Sequence, residues 1–98
     1  MLHIVNKSPL ERPSLDAVLQ TGDAGAILLI EDGVYGATKG SVGEAKLKSA
    51  LGKFKVYALA PDLEARGIAD RLMDGVTAVD YGGVVDLVCE NKTCQSWL

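Results

Sequence analysis

The sequence predicts an α/β protein with three layers, α/β/α, as a single domain over residues 1–98 with a parallel sheet of four to five strands. Residues 26–30 (AILLI) are consecutive apolar residues, which is typical of a strand buried on both faces. Glu31 and Asp32 then end this strand abruptly. Strand-like and helix-like segments alternate along the whole chain, which favours parallel strands joined by right-handed crossovers with helices on both faces.

The composition limits the core and the kinds of partner. Of the 98 residues, 48% are hydrophobic and only 5% are aromatic, so the core must be aliphatic. The net charge is −3 and the basic residues form no stripe, which argues against direct binding of nucleic acid by this chain. No apolar run reaches the roughly 18 residues of a membrane span. With no signal peptide expected at Met1, the sequence predicts a cytoplasmic protein with reduced thiols.

The first quarter of the chain predicts one strand and one helix. Residues 2–6 form a short strand. Residues 8–11 (SPLE) have a capping-box pattern, but Pro13 limits this segment to a single turn. A helix restarts there and ends near Gly22. Its inward stripe has helical spacing: Leu15, Val18 and Leu19.

Glycines mark the segment after the central strand, and they predict a loop: Gly33, Gly36, Gly40 and Gly43. Residues 41–44 (SVGE) have a second capping-box pattern, which opens a helix that continues through Leu51. Residues 53–60 form the third strand, and Pro61 starts a short helix that Gly67 ends.

The last quarter of the chain predicts two more strands around a helix. Residues 76–80 form the fourth strand, and Asp80 caps the helix that follows. The inward stripe of this helix is predicted from its spacing: Val84, Leu87 and Val88. Residues 95–98 form a fifth strand at the edge of the sheet.

No residue pattern predicts a cofactor or a metal. The glycine segment lacks the spacing and the Gly-Lys-Ser/Thr ending of a phosphate-binding loop, and the acidic residues before it repel phosphate. Two cysteines and the single His3, which we interpret as structural, are too few for a usual metal site. Glu31 and Asp32 serve either as general acid–base groups or as capping and interface residues, and we favour the second role.

Two cysteines and a tryptophan near the C-terminus are further candidates. Cys89 follows inward residues of the last helix, so we expect it to be a semi-buried filler. Cys94 follows the helix and is expected to be exposed, without the helix N-terminus that activates nucleophilic thiols. Both remain tentative sulfur carriers. Trp97 either packs on the edge of the sheet or anchors a partner.

Four segments resemble the DsrH/TusB family, in order and at matching spacing along the full chain. Residues 2–9 (LHIVNKSP) resemble its LH-x-(V/L)-x-(K/R)-S-P opening, and residues 28–35 (LLIEDGVY) its LL-x-x-DG-(V/I) segment. Residues 56–67 (VYALAPDLEARG) resemble its (V/L)Y-x-L-x-x-DL-x-ARG segment. The ending also matches, with Asp80-Tyr81, Val84-Val85-Asp86 and Gln95-Ser96-Trp97.

The resemblance implies a DsrE-like fold with strand order 4-3-2-1-5. It implies a cytoplasmic heterohexamer, two copies of each chain, with homologous DsrE/TusD-like and DsrF/TusC-like subunits. Such complexes pass persulfide sulfur along cysteines. In one branch the sulfur reaches tRNA for 2-thiolation of the wobble uridine; in the other the complex serves sulfur oxidation alongside reverse-acting dissimilatory sulfite reductase. The main sulfur-accepting cysteine lies on the DsrE/TusD-like partner.

One departure from the family bears on the role of this chain. Members of the Dsr branch can carry a cysteine on the first helix, where Val18 stands here. We therefore interpret the chain as a structural, non-catalytic subunit, which also explains the absence of a catalytic constellation. The alternative is an independent sulfurtransferase using Cys94 or Cys89. The isolated chain can also form a homo-oligomer through surfaces meant for its partners. The predicted interface residues are Glu31, Asp32, Gly33, Tyr35 and Trp97.

Overall fold

A five-stranded parallel sheet forms the centre of the protein in a computed structural model that describes residues 1–8, 10, 13–20 and 25–97. The strands are β1 (Leu2–Val5), β2 (Gly25–Leu29), β3 (Phe54–Leu59), β4 (Val76–Val79) and β5 (Cys94–Trp97). Their order is β4-β3-β2-β1-β5, and all neighbouring pairs are parallel. The predicted fold class and the strand order implied by the resemblance are confirmed.

Helices lie on both faces of the sheet. They are α1 (Ser14–Gln20), α2 (Val42–Ala50), α3 (Ala60–Ala65) and α4 (Tyr81–Glu90), with 3₁₀ helices over Glu31–Ala37 and Ala69–Arg71. The larger core cluster joins one face of the sheet to α1, α2, α3 and the first 3₁₀ helix. The smaller cluster joins the opposite face to α4, which is the one helix of the described chain on that side. The result is a three-layer arrangement with very unequal outer layers.

The central strand β2 is buried on both faces, as its apolar run predicts. Ile27 and Leu29 belong to the larger core, whereas Ala26 and Leu28 belong to the smaller one. Side chains alternate between the faces of a strand, so a strand with helices on both sides must be apolar at successive positions.

The segment predicted as a glycine loop is instead a 3₁₀ helix over Glu31–Ala37, so that prediction is wrong in its first half. Gly33 is buried, and its N–H donates to the Ile30 carbonyl over 2.8 Å. The predicted capping box of α2 is also wrong, because its two side-chain hydrogen bonds are not formed. Ser41 occupies the N-cap position without a side-chain cap bond, and Glu44 accepts from the Gly40 N–H at 3.1 Å.

Helix α4 confirms one predicted feature and corrects two. The Asp80 carboxylate accepts from the Gly83 N–H at 2.8 Å, so the predicted cap is present. Leu87 is buried and Val84 is half-buried, but Val88 is 45% exposed and does not face the core. Cys89 is exposed, so its prediction as a semi-buried filler is wrong. Only one side of this short helix reaches the sheet.

Three sequence predictions fall partly or wholly outside the described residues. These are the capping box over residues 8–11, of which Pro9 and Glu11 are not described, the helix end at Gly22, and the last residue of the predicted fifth strand, Leu98. A search of the described residues for a helix long and apolar enough to cross a membrane finds none.

Candidate docking rim

The predicted interface residues of the central strand lie together where β2 ends. We call Glu31, Asp32, Gly33 and Tyr35 the acidic rim. Glu31 and Tyr35 are exposed, Asp32 is half-exposed, and Gly33 is buried beneath them. Gly33 therefore supports the rim and does not contribute to its surface. Because parallel strands end at the same edge of a sheet, the start of α3 after β3 lies next to this rim.

Asp62 of α3 fixes the first residue of the rim. Its Oδ2 accepts from the Glu31 N–H at 2.7 Å. Glu31 has a φ of 50°, a left-handed conformation that costs a residue other than glycine about 1 kcal/mol. The charge-assisted hydrogen bond offsets this strain. The backbone turn that directs the Glu31 side chain outward thus depends on a carboxylate 31 residues further along the chain.

Arg66 ties the rim to α3 from the other side. Its Nε and Nη2 lie 3.0 and 2.9 Å from Asp32 Oδ1, and its Nη1 lies 3.7 Å from Asp62 Oδ1. The Arg66 side chain is 23% exposed, so solvent screens these pairs and each contributes on the order of 1 kcal/mol. With Glu31 the cluster has three carboxylates and one guanidinium, so the rim stays acidic.

A general base needs one carboxylate oxygen available to the proton that it removes, and Arg66 occupies only one oxygen of Asp32. This pairing is consistent with both predicted roles of Asp32. Asp32 Oδ1 receives two N–H groups of Arg66, and the same contacts hold the 3₁₀ helix against α3. The exposed groups of the rim are the Glu31 carboxylate and the Tyr35 ring.

A groove of about 680 Å³ lies beside the rim. Its described lining residues are Ser8, Leu10, Asp32, Tyr35, Thr38, Gly40, Ser41, Val42 and Gly43. Neither cysteine is among them. Neither thiol of this chain therefore shares the groove with the acidic residues. Within the described residues, no group of His, Cys, Asp and Glu side chains is placed to hold a metal ion.

The two cysteines lie on other elements and are both exposed. Cys89 is in the last turn of α4, and Cys94 opens β5 opposite Leu2 of β1. Neither position is the N-terminus of a helix, where dipole and N–H groups activate a nucleophilic cysteine. The predicted exposure of Cys94 is confirmed.

Trp97 packs on the edge of the sheet, which is one of its two predicted roles. Its indole N–H donates to Nδ1 of His3 over 3.2 Å, and the two rings lie 6.0 Å apart between centroids. His3 is 1% exposed and also meets Phe54 edge-on at 6.0 Å. The only histidine of the sequence is thus part of the core, as interpreted above.

Sequence reasoning missed Asp62 and Arg66 as residues that shape the rim. From the sequence, both residues were only part of the segment over residues 56–67 that resembles the family. The predicted topology already indicated that these two residues lie near the rim. Residues that directly follow neighbouring parallel strands meet at one edge, here after β2 and after β3.

The strand order, the unequal helical layers and the rim define a small three-layer α/β protein with an all-parallel sheet. Two solved structures share this fold. The ychN protein from E. coli has a TM-score of 0.80 with 16% identity, covering 98% of this chain and 97% of the other. The protein MTH1491 from Methanobacterium thermoautotrophicum has a TM-score of 0.77 with 18% identity, covering 97% and 96%.

Sequence relatives give the family. Protein TusB of Pectobacterium parmentieri is 34% identical over 98 residues, covering 99% of this chain and all of the relative. Protein TusB of Escherichia coli O81 (strain ED1a) is 34% identical over 99 residues with the same coverage. The family model described as DsrH like protein matches residues 7–94. The chain belongs to the DsrH/TusB family, which confirms the resemblance found in its motifs.

Proposed function

We propose that this chain is a subunit of a cytoplasmic sulfur-relay complex that supplies persulfide sulfur for 2-thiolation of the wobble uridine in tRNA. Its partners are homologous DsrE/TusD-like and DsrF/TusC-like subunits, and its own domain supplies docking surfaces. The observation that carries this proposal is the 34% identity to proteins named TusB over 99% of the chain.

The arrangement of the side chains supports a structural role. Val18, which stands where some Dsr-branch chains have a cysteine, is 0% exposed in the larger core, so this position presents nothing to an incoming persulfide. The acidic rim has Arg66 on Asp32 and no thiol beside it, which suits contact with a partner better than group transfer. Tyr35 adds a large, rigid and amphipathic ring to that contact.

Co-expression with the two partner subunits of the same organism, in a strain that lacks its own three, tests this function. We expect the three chains to purify together and the strain to regain 2-thiouridine in its tRNA, seen as retarded migration in a mercury-containing gel. A chain with both Cys89→Ser and Cys94→Ser should restore thiolation as fully as the unaltered chain, because both thiols lie outside the relay.

Two results would change the assignment. Loss of thiolation in the cysteine-free chain, with the complex intact, would indicate the alternative of a sulfurtransferase using Cys94 or Cys89. A stable complex that leaves tRNA unthiolated would instead indicate the sulfur-oxidation branch of the family.

A further inference from the structure

The C-terminal strand β5 has one side chain packed on the core. Trp97 packs against the larger core cluster, whereas Cys94, Gln95 and Ser96 are exposed. The strand lies at an edge of the sheet, where its neighbour is β1. An element with so little buried apolar surface opens at a lower free energy than the centre of the domain. The attachment of β5 therefore depends strongly on the surroundings of Trp97.

Trp97 fixes the protonation state of His3, against which it packs. The indole nitrogen lies 3.2 Å from Nδ1 of His3, and an indole N–H only donates a hydrogen bond. Nδ1 must therefore accept, which leaves His3 neutral with its hydrogen on Nε2, because an imidazolium has a hydrogen on both nitrogens. His3 is 1% exposed, so a charge there would also lose its hydration. Protonation of His3 and its contact with Trp97 thus exclude each other.

The strands around His3 direct their titratable side chains to the other face of the sheet. β2 contains no titratable residue. Cys94 of β5, together with Lys55 and Tyr57 of β3, is level with members of the smaller core. Side chains that are level in a parallel sheet share a face, whereas Phe54, which meets His3, belongs to the larger core. These three groups therefore do not face His3.

Two other charged groups belong to elements near His3. On α1, Asp16 has its carboxylate oxygens 2.8 and 2.9 Å from the Lys46 ammonium. Ahead of β3, the Lys53 ammonium lies 5.5 Å from the centroid of Phe54, whose ring meets His3 edge-on. The carboxylate is already paired, and a cation disfavours a second positive charge nearby. Neither group compensates a charge on His3 within the core.

We propose that the hydrogen bond from Trp97 to His3 makes the attachment of β5 sensitive to acid: protonation of His3 releases β5 from β1 while the other four strands stay folded. One proton from solvent binds Nδ1, and the indole N–H exchanges this acceptor for water. The release leaves the outer edge of β1 unpaired, and an unpaired strand edge is available for pairing with another chain. The inference concerns this chain alone and does not depend on the proposed function.

The direction of the pH dependence follows from which state binds the proton. His3 lies beside Gln95 of β5, so departure of β5 opens the imidazole to water. In the released state it titrates near the ordinary histidine pKa of about 6.5. The attached state excludes this proton, so the equilibrium constant for release rises about tenfold for each pH unit below that value. Above it, the attachment of β5 is independent of pH.

Hydrogen exchange of the β5 amides in the unaltered chain tests the release. Corrected for intrinsic exchange rates, their protection should fall about tenfold between pH 7.5 and 5.5. The matched variant His3→Asn keeps an acceptor oxygen close to the position of Nδ1 and retains every other titratable group, including the amino terminus. It should show no such fall. Amides of β2 and β3 should exchange more slowly than those of β5 at both pH values, because they open only with the whole domain.

A second variant reads the protonation of His3 itself. His3 is the only histidine of the sequence, so its C2 proton gives a single histidine signal in the NMR spectrum. In a Trp97→Phe chain no indole N–H opposes a hydrogen on Nδ1. The His3 signal should therefore titrate at a higher pH than in the unaltered chain.

The outcomes decide the inference in both directions. Equal protection of β5 at the two pH values would overturn it, and so would a tenfold fall that persists in His3→Asn, because another group would then be responsible. Exchange of β5 and β2 at one common rate at pH 5.5 would show unfolding of the whole domain and not release of one strand. If His3→Asn does not fold, the Trp97→Phe chain decides: a higher midpoint supports the inference, and an unchanged midpoint contradicts it.

Discussion

Replacing Gly33 by alanine should destabilise the protein by about 3 kcal/mol, since overpacking against backbone forces the chain itself to move. A Cβ at this position would overlap the Val5 carbonyl oxygen of β1, and it would also lie 3.0 Å from the Val5 carbonyl carbon. The Val5 carbonyl group is held in the sheet, so it cannot move away from a new Cβ as a flexible side chain can. We expect the melting temperature to fall by roughly 15 °C, measured by thermal unfolding followed by circular dichroism.

The matched control is Gly52→Ala. No heavy atom lies within 4 Å of a Cβ built on Gly52, and its φ is not in the left-handed region. Alanine there should be neutral or stabilise by about 0.5 kcal/mol, because it reduces the freedom of the unfolded chain. Equal stabilities of the two variants would show that β1 and the rim are not packed as described.

Truncating Leu87 to alanine should cost about 3 kcal/mol, in the range found for buried leucines. Leu87 is 5% exposed and joins α4 to Leu2, Ala26 and Leu28 of the smaller core. That core has few members, so neighbouring side chains have little ability to fill the cavity. Urea denaturation should show the midpoint falling, with the slope preserved if the variant remains two-state.

The neighbouring variant Val88→Ala serves as its control. Val88 is 45% exposed, so its truncation should cost less than about 1 kcal/mol. A larger loss for Val88→Ala than for Leu87→Ala would mean that α4 is rotated about its axis.

The architecture was predictable because the sheet imposes simple patterns on the sequence. The apolar run at residues 26–30 requires a strand that is covered on both faces of the sheet. The alternation of strand-like and helix-like segments requires parallel strands. The 3₁₀ helix over Glu31–Ala37 was not predictable from local signals. Its two glycines and two carboxylates are locally typical of a loop, whereas Asp62 and Arg66, about 30 residues away, fix its geometry.

The errors in α4 have a related cause. More than half of its circumference is apolar, so periodicity gives no unique inward direction. Val84, Leu87 and Val88 fit a stripe equally well until the sheet selects Leu87 and leaves Val88 and Cys89 outside. For the same reason a sequence alone does not separate an apolar residue of the core from one of an interface. Only the tertiary packing shows which apolar residues of α4 are buried in the core.

The most direct test of the relay function is the mass of each subunit after sulfur loading. The purified three-subunit complex is incubated with a persulfide donor, and each chain is then measured intact with and without reductant. We expect a reductant-sensitive gain of one sulfur atom on the DsrE/TusD-like partner, with this chain unchanged in mass. A stable gain of sulfur on Cys94 or Cys89 of this chain would contradict the account.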